Sequence, residues 1–178
     1  DAAGPAVQAR YAERARRDWD DWQGRHPQAD KPQRTSPYGG YMDYDHERAS
    51  LRRRYLDSIA SQGDPRALLE AMAASAHAAS EYGDLIALCE TQGWHRESLQ
   101  WAQAAAKRYP QDRACEDALL RCYERDGWDD EALAIHRKRL QACPSADAYR
   151  AVLQAAQRAG RDKAAYRAEL FAWAEQRE

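Results

Sequence analysis

A spacing constrains this chain more than any single residue does. Gly93 and Trp94 open a stretch that closes at Pro110, and Gly127 and Trp128 open another that closes at Pro144. Leu99 and Leu133 match between them, all at the same offset (127 − 93 = 34). A third copy starts at Gly160, at nearly that offset (160 − 127 = 33), and keeps Ala165 and Tyr166 but loses the Trp that follows the Gly, with Arg161 in its place. Upstream, Gly63 precedes Gly93 at a shorter offset (93 − 63 = 30), with Asp64 as a predicted N-cap and Pro65 at the first helical position. Self-similarity at such a period marks a unit that buries its apolar face only by stacking on its neighbours.

Each of the last three glycines follows an amphipathic stretch. Tyr82, Leu85, Ile86 and Cys89 recur at steps of three and four, as do Cys115, Leu119, Cys122 and Tyr123. The unit therefore reads helix, Gly turn, helix. No segment alternates with period two, and the chain is expected to be all-α.

A helix-turn-helix unit recurring at this period resembles the tetratricopeptide repeat. Tyr82 and Leu85 fall where that family places an aromatic residue and Leu, and Cys89 and Tyr123 take its next aromatic site. Ala132 and Ser98 take the small site of the second helix, while Pro110 and Pro144 take the closing proline. Ile86 and Leu120 depart from the pattern, standing where the family has a small residue, and Glu116 replaces the first aromatic. The resemblance covers about 79–176 and implies a right-handed α-α superhelix of hairpins with a concave groove. The order "QGDPRALLEAM", "LIALCETQGWHRESLQWAQAAAKRYP", "CYERDGWDDEALAIHRKRLQACP" is also similar to the C-terminal helical region of bacterial SWIM zinc-finger proteins. Neither the Cys-x-Cys nor the Cys-x-His of that finger occurs here, so no zinc role is implied.

The 178 residues read as one helical-repeat domain. Within it, 1–44 is an N-terminal helix and a long loop, 45–78 a degenerate helical pair, and 79–178 the tetratricopeptide-like repeats. Val7, Tyr11, Ala15, Trp19 and Trp22 share one face of a helix over about 5–23. The following Pro- and Gly-bearing loop includes Tyr38, Tyr41, Met42 and Tyr44, and a second helix is predicted over about 45–61. The chain opens on Asp1 rather than Met, which suits a processed product or a piece of a longer protein.

Charge excludes some partners. With 27 basic and 29 acidic residues the net charge is −2, so no global field draws the chain to nucleic acid or anionic lipid. No apolar run reaches the length of a membrane span. Cys89, Cys115, Cys122 and Cys143 form no CxxC pair and sit in or at the ends of helical patterns, which suits buried thiols in the cytoplasm.

His95 and Glu97 suggest a His-x-Glu metal-hydrolytic pair, but that chemistry needs a Pro-Cys-x-x-Cys segment that is absent. The matching copy has Asp129 and Glu131 there, so these are read as first-turn residues. Cys115 and Cys122 stand two helical turns, roughly 10 Å, apart, too far to share a tetrahedral ion comfortably. No metal, cofactor or enzymatic activity is expected. An enzyme with its site near Tyr38 to His46 would have a phenol and an imidazole, but no motif.

Two sets of binding residues follow instead. The tetratricopeptide resemblance implies a partner-binding groove of Ala87, Glu90, Asp117, Arg121, Glu124, Arg150, Gln154 and Gln157, whose mixed charge suits another protein or peptide. Function is accordingly read as a non-enzymatic protein-protein interaction scaffold. The alternative is an accessory domain of a nucleic-acid-associated, SWIM-type protein, in which Arg48, Arg52, Arg53 and Arg54 contact phosphate beside Tyr55.

Overall fold

A computed structural model describes residues 4–26 and 41–175. Among these residues all regular secondary structure is helical, in nine helices. They are α1 (Pro5–Arg25), α2 (Tyr41–Ala60), α3 (Pro65–Ser75), α4 (Ala79–Thr91), α5 (His95–Arg108), α6 (Arg113–Asp126), α7 (Asp129–Ala142), α8 (Ala146–Arg158) and α9 (Lys163–Glu175). The all-α expectation therefore holds. The aromatic loop differs from its predicted bounds: α1 runs on to Arg25, and α2 begins at Tyr41 rather than near 45. Tyr38 and the rest of 27–40 lie outside the described residues. No described helix is long and apolar enough to cross a membrane.

The helix ends follow local chemistry. Asp64 accepts from Arg66 N and Ala67 N at 2.9 and 3.2 Å, with Pro65 in the first helical position, as the sequence predicts. Asp112 caps α6 through Cys115 N, and Ser145 caps α8 through Ala148 N. Each such cap satisfies a backbone donor that the helix itself cannot, typically for about 1 kcal/mol. Between α6 and α7 the chain reverses through Gly127 at φ 75°, a left-handed conformation that costs any residue with a Cβ. Trp128 N bonds back to Tyr123 O there, and Arg161 N bonds to Ala156 O after Gly160 in the same i to i−5 pattern.

The spacing between the two Gly-Trp pairs has a counterpart in backbone angles. Trp94 and Trp128 enter their helices at φ −85° with ψ 67° and 64°. Tyr109 and Cys143, each preceding a proline, leave theirs at φ −125° and −142° with ψ 66° and 86°, and their N–H groups bond four residues back, to Ala105 O and Arg139 O.

The chain divides into two compact units, residues 1–92 and 93–178, where the sequence alone reads a single domain. In the first, α1 packs on α2, α2 on α3 and α3 on α4. Trp19 and Trp22 stack with centroids 5.4 Å apart, Trp19 also stacks on Tyr55, and both indoles are buried against Leu51. At about 150–250 Å² per aromatic side chain, burial of each contributes about 4–6 kcal/mol. Val7 and Tyr11 continue the same stripe but are 59% and 49% exposed, because α1 extends past the helix it packs on. In the second unit α5 packs on α6, α6 on α7, α7 on α8 and α8 on α9. Its core joins Leu133, Leu140, Val152, Ala155, Ala156, Tyr166 and Leu170. The small-site residues Ser98 and Ala132 are both fully buried.

Candidate functional site

The predicted groove residues fall in both units, and the six on α6 and α8 lie within the second. There the acidic members are already engaged. Asp117 accepts from Arg139 Nη2 at 2.5 Å and lies 3.5 Å from Arg113 Nε. Glu124 takes Arg158 Nη2 at 2.5 Å and His136 Nε2 at 3.1 Å, joining α6 to α7 and α8. Arg139 also bonds Glu116, as does Lys138 Nζ, both at 2.7 Å. Burial alone would raise the Glu116 carboxyl, but these two cations hold it below its ordinary range.

What remains outward-facing is different in kind. Arg121, Gln154 and Gln157 are exposed, and Arg150 is exposed with Asp147 at 3.1 Å. Arg121 has no ion-pair partner among the described residues. With Asp117 and Glu124 neutralised from within, this face offers the Arg121 guanidinium, that of Arg150 beside Asp147, and two amides able to donate and accept. In the first unit Ala87 is exposed and Glu90 half-buried on α4.

The four arginines proposed for nucleic acid separate. Arg53 and Arg54 are exposed, but Arg48 and Arg52 are 6% and 7% exposed, which corrects the reading of all four as surface contacts. The reason is Glu81 on α4. Arg48 reaches it with Nη1 at 2.6 Å and Nη2 at 3.2 Å, and also donates to Ser75 O at 2.6 Å. Arg52 Nε donates to Ser75 Oγ at 3.0 Å and lies 3.4 Å from Glu81. His77 N, Ala78 N and His77 Nδ1 complete the shell around Glu81 at 2.7, 3.1 and 3.0 Å. Burial would push the Glu81 carboxyl up, but hydrogen bonds from His77 and Arg48 hold it far below the usual carboxylate range. For Arg52, burial lowers the pKa against the attraction of Glu81. The cluster ties α2 to the α3–α4 junction, beyond the reach of an external phosphate. A partner for buried arginines was inferable only from Glu81, two helices further along the chain, and no local signal connects them.

His95 and Glu97 occupy the first turn of α5, as do Asp129 and Glu131 in α7. Cys89, Cys115 and Cys122 are buried thiols and Cys143 is exposed. Burial and the nearby Asp112 carboxylate push the Cys115 thiol up to about 11. No group of three or more His, Cys, Asp and Glu among the described residues is placed to hold a metal ion.

Sequence reasoning missed two clefts. One, of about 620 Å³, lies between α1 and α3 over α2, with Tyr55, Glu70, Ala71 and Ala74 in its lining. The other, of about 260 Å³, lies among α5, α6 and α7, with Leu119, Ala134, Ile135 and Lys138 in its lining. These two sets are register-equivalent at the offset between their turn glycines (127 − 63 = 64). Alanines at a helical spacing of three in α3 were the available signal.

No protein-family model matches the chain, and no curated protein matches it.

Proposed function

We propose that this chain is a non-enzymatic, tetratricopeptide-like interaction module that holds a peptide or helix of another protein across α6 and α8. The observation that carries the reading is the composition of that face once its internal pairs are counted. Asp117 and Glu124 are spent on Arg139 and Arg158, leaving Arg121, Gln154 and Gln157 outward. Paired amides suit the alternating donors and acceptors of an extended backbone, and Arg121 suits an acidic side chain on the partner. Recurring left-handed glycine turns and close backbone packing between chain neighbours support the superhelical arrangement that would curve such a face. Buried thiols at Cys89, Cys115 and Cys122 suit a cytoplasmic setting.

A photo-cross-linking residue at Gln154, introduced in the native cell, should trap a protein partner. Purified, that partner should bind the Arg121→Glu, Arg150→Glu double variant at least about tenfold more weakly, with helicity unchanged by circular dichroism. Equal affinity for the variant and the parent refutes the assignment of this face.

A further inference from the structure

We infer that the α1–α3 cleft is a self-association site, filled by the projecting end of α1 from a second copy of this chain. The second unit displays what such a cleft takes when it is filled from within. Lys138 and Ile135 line it, and the Lys138 ammonium reaches a carboxylate of the same cleft, Glu116, at 2.7 Å. In the first unit the equivalent positions are Ala74 and Ala71, and the cleft is correspondingly larger. Of its two lining carboxylates, Glu13 is held by Arg17 at 3.2 Å, whereas Glu70 is exposed and has no ion pair among the described residues. The missing complement is therefore aliphatic or aromatic bulk together with a cation.

The exposed end of α1 supplies both. Val7, Arg10, Tyr11 and Arg14 stand at i, i+3, i+4 and i+7, on one helix face. Val7 and Tyr11 are among the few large apolar side chains left exposed among the described residues. Arg10 is exposed without an ion-pair partner among the described residues. Apolar anchors one turn apart, flanked by a guanidinium, match an alanine-lined cleft with an unpaired glutamate on its rim. The cleft also includes Ala12 and Arg16, immediately after the projecting turns. An α1 helix that enters the second copy's cleft thereby brings its own cleft against that copy's α1, so a two-fold arrangement uses both arms and both clefts.

Sedimentation velocity across a concentration series reads the outcome on the whole 178-residue chain. The expected result is a reversible monomer–dimer equilibrium. Tyr11→Asp at an arm and Ala74→Arg at an exposed cleft wall should each weaken dimerisation by about tenfold or more, with circular dichroism unchanged. Arg10→Glu and Glu70→Arg should each weaken it, and the two combined in one chain should recover most of the loss. A chain that stays monomeric at every concentration overturns the inference. So does a dimer indifferent to Tyr11→Asp and Ala74→Arg, or a combined charge swap no tighter than either single variant.

Discussion

Replacing Arg48 with Ala tests the buried cluster most directly. The substitution removes three charge-assisted hydrogen bonds, two to Glu81 and one to the Ser75 carbonyl. Breaking a buried pair by deleting one partner costs about 3–5 kcal/mol, because the remaining charge loses its compensation. Here Glu81 keeps the His77 and Ala78 N–H groups and Arg52 at 3.4 Å, which places the cost at the lower end, about 3 kcal/mol. At roughly 2–4 °C per kcal/mol for a chain of this size, the melting temperature should fall by about 6–12 °C. Arg53→Ala, one residue from Arg52 but with its side chain 85% exposed, should leave it unchanged. Acid provides a second reading. Folding lowers the Glu81 pKa from its ordinary 4.5, so its stabilisation is complete above that value and drains away as pH falls below it. Stability of the parent should therefore drop more steeply below pH 4.5 than that of Glu81→Gln, followed by urea unfolding at each pH. An Arg48→Ala protein within about 1 kcal/mol of the parent, or parallel acid profiles, would show that the cluster does not lock α2 to the α3–α4 junction.

Thiol chemistry and the repeat offset supply two further tests. Under native conditions at pH 8 an aromatic disulfide reagent should titrate Cys143 quickly, while Cys115, with its thiol pushed up to about 11, and the buried Cys89 and Cys122 should react only on unfolding. Fast titration of all four thiols would contradict their burial. Ser98 is fully buried, lies 3.4 Å from Cys122 Sγ, and occupies the place that Ala132 takes at the repeat offset (132 − 98 = 34). Ser98→Ala should be nearly neutral in chemical denaturation and Ser98→Leu should cost about 1–3 kcal/mol by overpacking; the reverse order would separate the two positions.

The sequence speaks clearly wherever the cause of a structural feature lies within a few residues of it. Asp64 and Pro65 announce the start of α3, and the glycines at 63, 93, 127 and 160 announce turns because each holds a positive φ that other residues resist. The stripe from Val7 to Trp22 predicts α1 but not where its burial ends, since that depends on how far the opposing helix reaches. Arg48 and Arg52 illustrate the opposite limit: their local context, with Arg53 and Arg54 beside them, reads as a solvated basic face. The distant Glu81, with the hydroxyl and the carbonyl of Ser75, makes their burial tolerable. Groove residues Asp117 and Glu124 follow the same rule, their charge being cancelled by Arg139 and Arg158 from other helices.

Within each unit, helix backbones pack closely only on their chain neighbours, with side-chain ion pairs such as Arg48–Glu81 and Arg158–Glu124 reaching one helix further, and this bears on how the protein comes apart as well as how it is built. Native contacts close short loops, so contact order is low and ordering can start at any well-packed pair without waiting for distant segments to meet. Loss of one terminal helix removes a single closely packed backbone interface, with the ion pairs that reach past it, Glu81 to Arg48 at α4 and Glu169 to Arg137 at α9. Protection from amide exchange should therefore grade inward along each unit, with its end helices opening at lower free energy than its middle ones.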